Sequence, residues 1–484
     1  MPQILGIFML KLSILTKQEQ DSIHAAALNV LKTVGCEIQD KKWLDLLAKN
    51  GLKVDFETSR VFIADENIVN SSLESCGHSI KYAARDPQKD WIIGQGVAKT
   101  HTPEGMTHII DLDSRIHREA RLSDLIELTR ICDFLPNVDG VIDPVVPYDV
   151  PPTLQSVIIT KTLIENTIKP IDPAGIALKQ GFPFVMRMLI AVLGDRDISE
   201  YSLGVGVTAT SPLQFPFDQL DAYWQGIELG SSCDVGSMPQ AGSTAPASLA
   251  GTLTLFVAEI LMGLIMGQLK KPGLSQFVFV RPSLSNPRFG IFNSGPPEVG
   301  LLQAAATQLC KEKYGLIVNA GWGVSDSHCI NPQVAYEKCY IWTMSLAAGA
   351  DMISGVGGLG SGLISSPAQI VIDDEIIAHL RRGFQGIIVD DFHLGVEMIE
   401  DVGIGKTFLF HPKTSQIIRE EWQLSELPSR NSYSTWKAAG APDLVSMAEQ
   451  KAKEILANHE VDELDPNLEE NLDNILKEAK RALL

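Results

Sequence analysis

The sequence predicts a (β/α)8 TIM-type barrel, an α/β fold, with an N-terminal α+β extension and C-terminal helices. From about residue 138, short apolar runs alternate with long helical patterns. Seven such βα units follow one another, which favours a closed barrel over an open doubly wound sheet. The chain of 484 residues, 45% of them hydrophobic, suffices for a barrel of about 250 residues with extensions at both ends.

Residues 1–120 are predicted to form the α+β region packed on the barrel. Thr16 is expected to cap a first helix that ends near Thr33, because a threonine hydroxyl accepts hydrogen bonds from the first helical N–H groups. The following helices are expected at 41–49 and 123–134. Strand-like pieces lie at 53–63, 79–84, 91–93 and 107–112, and the turn Asp113-Ser114-Arg115 closes a hairpin.

The barrel is predicted over residues 121–402. Its apolar runs are 138–142, 169–171, 202–208, 233–238, 276–280, 316–319 and 352–355. Its helices are expected at 153–166, 178–194, 216–229, 246–269, 297–313, 332–348 and 367–384. The eighth strand is left with two candidates, 362–364 and 387–389.

Residues 403–484 are predicted to form a tail of one strand and two helices. Strand character lies at 403–418, and amphipathic helices are expected at 443–458 and 467–484. The linker between the helices is acidic and is expected to be solvated. Acidic two-helix tails often join protomers, so a homo-oligomer is expected.

Charge and cysteine content restrict the classes of partner. The formal net charge is −19 with no basic block, which disfavours nucleic acid and anionic membranes as partners. Seven scattered cysteines without a CxxC motif are typical of reduced thiols, so a cytoplasmic protein is expected. The apolar stretch 260–269 ends a core helix rather than a membrane span, and the first residues do not resemble a signal peptide.

Polar side chains should gather where the barrel strands end, because active sites of TIM barrels lie at that face. The candidates there are Asp143, Asp172, Thr208, Thr210, Gln240, Arg281, Asn319, Trp322, Asp326, His328, Asn331 and Gln333. Gln240 is expected where the strand 233–238 stops, and the small residues 241–244 that follow it let the backbone approach a ligand closely. The other candidates have structural alternatives: Asp326 can cap a turn, and Arg281 can pair with an acid of the barrel wall.

The glycine cluster 355–360 matches GxGxxG, but the context of a dinucleotide site is missing. Pro367 delays the next helix, and the acids 373–375 lie within that helix rather than after a second strand. The glycines are therefore expected to let a large ligand or partner approach the barrel mouth. HxxxH, CxxC and GxSxG motifs are missing from the sequence, so neither a metal site nor a side-chain nucleophile is expected.

Several segments in one order resemble a known family. They are Ser237–Glu259 (SMPQAGSTAPASLAGTLTLFVAE), Pro297–Glu298, Ser325–Ser327, Gln333, Ala348–Asp351, Asp373–Glu375, Phe408–Leu409, Thr414 and Trp436. Together they resemble the trimethylamine methyltransferase family of corrinoid-dependent enzymes, in its branch without pyrrolysine. All residues here are of the twenty standard types, and 327–332 departs from the lysine and aspartate expected in many relatives.

The resemblance implies an enzyme that moves a methyl group from a quaternary amine to the Co(I) corrinoid of a partner protein. Glycine betaine is the best guess for the donor, with dimethylglycine released; proline betaine and carnitine are alternatives. No tightly bound cofactor is implied, because the corrinoid is carried by the partner. A quaternary ammonium is already a leaving group, so the protein has to position the methyl group rather than supply an acid, a base or a nucleophile.

The resemblance also suggests roles for the candidate residues. Aromatic faces hold methylated ammonium groups by cation–π attraction, each contact contributing about 0.5–2 kcal/mol. The aromatic candidates for that role are Trp322, Phe215 and Phe277, then Phe217 and Phe279. The candidates for the betaine carboxylate, for further hydrogen bonds and for positioning are Arg281, His328, Gln240, Asn319, Gln333 and Asp326. The residues expected to face the corrinoid are Gly355, Gly357, Gly358 and Gly360.

Two other classes of function stay open at this point. One is a corrinoid-independent lyase or aldolase acting on a small carboxylate, with Asp326 or Asp143 as acid and base. The other is a binding protein for betaines without catalysis.

Overall fold

The computed structural model describes residues 11–172 and 180–484. The elements of the N-terminal region are α1 (Lys17–Thr33), β1 (Cys36–Ile38), α2 (Lys41–Lys49), β2 (Lys53–Asp55), β3 (Arg60–Phe62), α3 (Glu66–Ser75), β4 (Ile80–Tyr82), β5 (Trp91–Ile93), β6 (Lys99–His101), β7 (His108–Ile110) and β8 (His117–Glu119). Thr16 caps α1 in a capping box with Glu19, as predicted. The predicted hairpin is β7 paired antiparallel with β8.

The barrel region follows in regular βα order. Its first half contains α4 (Leu122–Phe134), β9 (Val141–Ile142), α5 (Gln155–Asn166), β10 (Ile171–Asp172), α6 (Phe182–Leu193), β11 (Tyr201–Ala209), β12 (Gln214–Phe215), α7 (Phe217–Leu229), β13 (Ser232–Ser237), β14 (Gln240–Ala241) and α8 (Leu249–Lys270). Its second half contains β15 (Gln276–Val280), β16 (Ser283–Asn286), β17 (Ile291–Asn293), α9 (Pro297–Gln308), β18 (Ile317–Trp322), α10 (Pro332–Ala347), β19 (Met352–Ser354), β20 (Gly358–Leu359), β21 (Ile364–Ser365) and α11 (Pro367–Phe384). The predicted start of α6 at 178 lies outside the described residues.

The eight parallel barrel strands are β6, β9, β10, β11, β13, β15, β18 and β19. Strands β11, β13, β15, β18, β19 and β6 pair in this order. A parallel bridge from His101 to Gly140 joins β6 to the start of β9, which pairs with β10. The (β/α)8 architecture is thus confirmed, with all seven predicted strands in place.

The eighth strand is β6, and both predicted positions for it are wrong. Residues 364–365 form β21, which pairs with β7 and β20 outside the barrel, and residues 387–389 are not in a strand. The sequence of β6, Lys-Thr-His, has no apolar residue, so hydrophobic pattern does not reveal it. The division of the chain at residues 120 and 402 stays a prediction, with one barrel strand contributed from the N-terminal side.

The tail consists of helices: α12 (Asp391–Leu394), α13 (Val396–Val402), α14 (Thr414–Glu421), α15 (Tyr433–Ala438), α16 (Leu444–Asn458) and α17 (Pro466–Leu483). The strand predicted at 403–418 is wrong, because turns lead there into α14. The last two helices pack on this chain's own barrel. Leu472 and Ile475 of α17 lie in a core with α5 and α6, so their apolar face is already buried within the chain.

The barrel is closed at its N-terminal end by a hairpin and is walled by helices. The hairpin β4–β5 covers the N-terminal end, where Tyr82 and Trp91 pack with Phe277, Ile317 and Met352. The wall includes α8, which among the described residues is the one helix long and apolar enough to cross a membrane. In its most apolar window, 78% of the residues are buried inside the protein, as expected of a core helix. The space inside the barrel therefore opens at the C-terminal ends of the strands.

Candidate active site

The barrel interior is polar above an apolar floor. In β15, the alternation of a strand turns Phe277, Phe279 and Arg281 to the inside. Phe277 is fully buried in the floor, whereas the ring of Phe279 is half-buried above it. We call the space above Phe277 the lumen.

Arg281 is the cation of the lumen. Its guanidinium donates to the carbonyl oxygens of Val280 and Asn319, to Asn319 Oδ1 at 3.2 Å and to Ser354 Oγ at 3.0 Å. The guanidinium also lies over the ring of Phe279, 4.6 Å from its centroid. Burial lowers the pKa of Arg281 to about 10, so the group keeps its charge at neutral pH. Its hydrogen-bond partners are neutral, and the charges of Glu104 and Asp234 act on it from a greater distance and raise its pKa.

Asn319 joins Arg281 to a second buried group, His101. Its amide nitrogen lies 3.0 Å from His101 Nε2, while its oxygen accepts from the guanidinium. Burial, followed by the charge of Arg281, lowers the pKa of His101 to about 4. His101 is therefore a neutral imidazole at physiological pH.

Four carboxyl groups face this same region: Glu104, Asp143, Asp172 and Asp234. Burial raises the pKa of Asp234 to about 8, and the charges of Asp172 and Glu104 act in the same direction. The pKa of Glu104 is also raised by burial. Mutual repulsion between these groups means that an entering cation would be stabilised by them.

Asp143 is the most exceptional of the four. It is 1% exposed, and neither side-chain oxygen has a hydrogen-bond partner among the described residues. Burial, followed by the nearby charge of Glu104, holds the pKa of Asp143 well above its ordinary value. An unpartnered buried carboxyl at the end of a barrel strand indicates a site that a ligand or water completes.

Glu104 is accessible even though protein atoms surround it. Its side chain keeps more than a third of its surface exposed, yet burial is the main influence on its pKa. Both observations fit a side chain that projects into an internal space rather than into bulk solvent. Motifs and spacing do not reveal Glu104, Asp234 and His101 as site residues. The charge of Asp234 inside an apolar strand is the one signal in the sequence that could have indicated it.

Trp322 lies at the mouth of the lumen, after a bulge in β18. Its half-buried ring lies 5.6 Å from that of Phe292, and the position of a Cβ on Gly362 would be 3.0 Å from the indole. Its backbone N–H donates to Gln303 Oε1 at 2.9 Å. Two aromatic rings thus lie side by side at the end of β18.

Asp326 connects three loops. Its carboxylate accepts from Asn293 Nδ2 at 2.9 Å, from the backbone N–H and the hydroxyl of Ser294, and from Ser361 Oγ at 2.8 Å. These four donors occupy the lone pairs that an acid–base catalyst would need. Asp326 therefore joins these loops, and the role of catalytic base suggested for a lyase does not fit it.

Four further polar candidates lie in the loops after the strands or in the first turn of α10. Gln333 donates to Glu337 in the first turn of α10, and Asn331 caps that helix. His328 is exposed above Gly360. Gln240 lies beyond β13 in the small sheet of β14, β16 and β17, where its oxygen accepts from Ser243 at 3.4 Å.

The predicted aromatic and glycine contacts need correction. Phe215 is fully buried in the main hydrophobic core, in register with Ile38 of β1, and Phe277 is equally buried in the floor. Neither ring has surface to offer a ligand, whereas Phe279 does. Gly355, Gly357, Gly358 and Gly360 are also all buried. A Cβ on Gly355 would lie 2.7 Å from the backbone of Gly323, so these glycines serve loop packing and expose no surface to a partner.

The segment 237–259 also has a packing role. Glu259 of α8 is fully buried and accepts from Ser237 Oγ at 2.5 Å, Ser211 Oγ at 2.8 Å and the backbone N–H of Leu213 at 2.8 Å. It thereby fixes the end of β13 and the loop after β11 to the same helix.

No cluster of three metal-ligating side chains occurs in the described part of the chain.

Comparison with known proteins agrees with this architecture. The profile of the trimethylamine methyltransferase (MTTB) family matches residues 5–483. The trimethylamine methyltransferase MttB of Methanosarcina thermophila is 30% identical over 476 residues, covering 95% of each chain. MttB of Desulfitobacterium hafniense is 28% identical over 466 residues, covering 96% of this chain and 93% of its own.

Two further proteins extend the comparison. The glycine betaine methyltransferase of Desulfitobacterium hafniense is 27% identical over 473 residues, covering 97% of each chain. The crystal structure of the monomethylamine methyltransferase MtmB of Methanosarcina barkeri superposes with a TM-score of 0.53 over 99% of this chain and 90% of its own. At 10% identity, that likeness supports the fold alone. The chain belongs to the trimethylamine methyltransferase family and is a methyltransferase.

Proposed function

We propose that this protein transfers a methyl group from a quaternary ammonium to the Co(I) corrinoid of a partner protein and releases the tertiary amine. Glycine betaine is the first candidate for the donor, and dimethylglycine is then the product. The observation that carries this proposal is the lumen, in which several carboxyl groups surround one guanidinium whose hydrogen-bond partners are all neutral. A zwitterion with a methylated cation at one end and a carboxylate at the other matches both signs of charge.

The cationic end has two sources of attraction. Glu104 projects into the lumen as an accessible carboxyl, and Asp143 has no other hydrogen-bond partner among the described residues. The rings of Trp322 and Phe292 at the mouth, and of Phe279 within, offer aromatic faces. A methylated ammonium cannot donate hydrogen bonds, so charge and cation–π attraction are the interactions left to hold it.

The carboxylate end is suited to Arg281. Four of its five N–H groups bind neutral acceptors, which fixes the guanidinium and, among the described contacts, leaves Nε–H for an anion. Trimethylamine has no carboxylate that could meet this guanidinium. This is the feature that favours a betaine, in line with the glycine betaine methyltransferase among the relatives.

The chemistry asks the protein mainly for orientation. A Co(I) corrinoid supplies the nucleophile for the methyl carbon, and the C–N bonding electrons stay on the nitrogen. The lumen has to hold the nitrogen end inside, turn one methyl group toward the open mouth and exclude water. The apolar floor under Phe279 and the loops fixed by Asp326 supply that shape.

The test is a spectral assay of the full chain with a reduced Co(I) corrinoid, free and bound to its carrier protein. Glycine betaine, proline betaine, carnitine, choline and trimethylamine are compared as donors, and consumption of Co(I) is followed by absorbance. We expect turnover with a betaine and much less with choline, which has no carboxylate. Turnover with trimethylamine alone, or with none of the donors when the carrier protein is present, would contradict the proposal.

Glu104→Gln tests the binding of the ammonium end of the substrate alone. The change keeps the shape and removes one negative charge, so the affinity for betaines and for choline should fall alike. Glu397→Gln, on an exposed helix of the tail, is the matched control and should leave binding unchanged.

A further inference from the structure

Asp143 has hydrogen-bonding capacity on both side-chain oxygens that the described protein does not use. The side chain is 1% exposed, and neither Oδ1 nor Oδ2 has a hydrogen-bond partner among the described residues. Buried polar atoms without a partner are rare in folded proteins, and a catalytic role is one of the reasons for which they occur. The bonding partner of Asp143 is therefore sought among the molecules that pass through the lumen.

The backbone holds Asp143 beside Glu104 at the ends of two neighbouring barrel strands. The hydroxyl of Thr102 donates to the carbonyl oxygen of Ile142 at 2.8 Å and accepts from the N–H of Ile142 at 2.9 Å, which ties the end of β6 to the end of β9. The N–H of Gly105 donates to the carbonyl oxygen of Asp143 at 2.9 Å. A Cβ on Gly105 would lie 3.9 Å from Asp143 Oδ2. The two carboxyl groups are thus fixed near each other.

This environment favours the protonated form of Asp143. Burial raises the pKa of Asp143 most, and the charges of Glu104 and Asp172 add to that effect. One entering ammonium compensates a single negative charge, so a cluster of four carboxyl groups still holds protons when the cation is bound. A protonated carboxyl has one O–H group to donate, and Asp143 has no acceptor for it among the described residues.

The substrate and the product of the proposed reaction differ in what they offer to such a carboxyl. A quaternary ammonium has neither an N–H group nor a lone pair, so it forms no hydrogen bond with Asp143. The tertiary amine left after methyl transfer has a lone pair and is basic enough to hold a proton at neutral pH. Asp143 therefore gains a bonding partner with the product and not with the substrate.

The other titratable groups near the lumen are less suited to this role. Both ring nitrogens of His101 have partners, at 2.8 and 3.0 Å, and four donors occupy Asp326. Asp234 lies in register with Phe277, at the level of the floor. Asp172 forms a hydrogen bond with a tyrosine of the hairpin that covers the N-terminal end.

We infer that Asp143 is the acid that protonates the tertiary amine as it forms. The C–N bond breaks with both electrons on nitrogen, the methyl carbon becomes bonded to cobalt, and the nitrogen lone pair takes the proton of Asp143, which becomes a carboxylate. The new ammonium N–H donates to that carboxylate, and the amine can no longer take the methyl group back. Asp143 regains a proton from water when the product leaves. The acid acts after the transfer, which itself needs none, and this inference rests on the proposed function.

The product complex can be formed directly by adding dimethylglycine, whose nitrogen is already protonated in water at neutral pH. Its binding should displace the proton of Asp143 into solution, whereas glycine betaine has no N–H group that could do so. Calorimetry of the full chain in two buffers of different ionisation enthalpy counts the released protons. We expect dimethylglycine to release about one proton more than glycine betaine. Asp143→Asn should remove this difference, because asparagine has a similar shape and no proton to release.

The affinities of the two ligands give a second readout. Asp143→Asn should weaken the binding of dimethylglycine about tenfold more than that of glycine betaine, because only the product forms a hydrogen bond between charged groups. Glu104→Gln should weaken both ligands alike, since attraction by charge does not distinguish them. Asp195→Asn, at an exposed position after α6, is the matched control and should change neither affinity.

Equal proton counts for the two ligands in the wild type would overturn the inference, and so would a difference that persists in Asp143→Asn or a wild type that binds neither ligand. The corrinoid assay separates this failure from that of the proposed function. Turnover with equal proton counts refutes the inference alone, whereas unequal counts without turnover contradict the proposed function alone. Should circular dichroism show that Asp143→Asn is misfolded, Asp143→Ala decides, because it also lacks the carboxyl and takes less space.

Discussion

Replacing Lys338 by methionine removes one half of an ion pair that lies entirely inside the protein. Lys338 Nζ lies 2.8 Å from Asp373 Oδ2 and 2.7 Å from the carbonyl oxygen of Gly355, and both charged side chains are 0% exposed. Asp373 also accepts from the backbone N–H of Gly357 at 2.6 Å and from Gln369 Nε2 at 2.8 Å. The pair thus fixes the loop 355–362, whose Gly362 packs on Trp322.

The expected loss follows from what would remain in the variant. Asp373 keeps two donors but loses its counter-ion in a place that water does not reach, and the carbonyl oxygen of Gly355 loses its donor. Removing one partner of a buried pair typically costs about 3–5 kcal/mol of the free energy of unfolding. Since whole domains have only about 5–15 kcal/mol, Lys338→Met should be strongly destabilised and should lose methyl-transfer activity through the displaced loop.

Urea denaturation followed by tryptophan fluorescence measures this loss. The double variant Lys338→Met/Asp373→Asn should recover much of the stability, because the asparagine oxygen still accepts from Gly357 and carries no unpaired charge. Lys413→Met, which breaks an exposed pair with Glu397, is the control and should cost at most about 1 kcal/mol. A loss below 1 kcal/mol for Lys338→Met, or a double variant no more stable than the single one, would refute this reasoning.

Three further predictions concern the lumen and its mouth. Asp234 keeps its proton to about pH 8 in the folded chain, so the folded state binds more protons than the unfolded state and the free energy of unfolding should fall as pH rises from about 4 to about 8. Denaturation curves of Asp234→Asn at several pH values should show a smaller dependence on pH, and an unchanged dependence would contradict the assignment. A cation in the lumen favours ionised carboxylates, so the affinity for betaines should rise with pH and binding should release protons. Calorimetry in two buffers with different ionisation enthalpies should therefore give different heats of binding, and equal heats would disprove the release. Gly355→Ala places its Cβ 2.7 Å from the backbone of Gly323 at a φ of +104°, so it should cost about 1–3 kcal/mol, whereas Gly383→Ala, with free space and an ordinary helical φ, should not destabilise.

The barrel could be predicted from the sequence, because most of its strands and helices are long enough to show their hydrophobic periods. Seven apolar runs became barrel strands, and helices such as Pro332–Ala347 lie within a few residues of their predicted bounds. Strand β6 was missed because three polar residues show no hydrophobic period, and it becomes a strand only by pairing with β19. The pairing with its neighbours in the barrel, rather than its own sequence, makes β6 the eighth strand.

The site was predicted less completely, for a physical reason that particular residues illustrate. Because active-site residues of barrels lie at the C-terminal ends of the strands, Arg281, Asn319 and Trp322 could be predicted as candidates. The structure places them in the lumen and at its mouth. It could not separate Phe277 from Phe279, two positions apart on one strand, because only the cover formed by β4 and β5 decides which ring is buried. Likewise, the glycines 355–360 were expected to expose a surface, whereas close packing of their loop hides them.

Composition and spacing thus determined the fold class and the face that carries the site, since both follow from the order of elements along the chain. The tertiary structure alone decided which charges meet in the lumen. Glu104, Asp143 and Asp234 come from three strands or loops far apart in sequence, and each would be ordinary by itself. Their pKa values are raised because the ring closes around them and removes water, which depends on distances in space and cannot be read from positions in the chain.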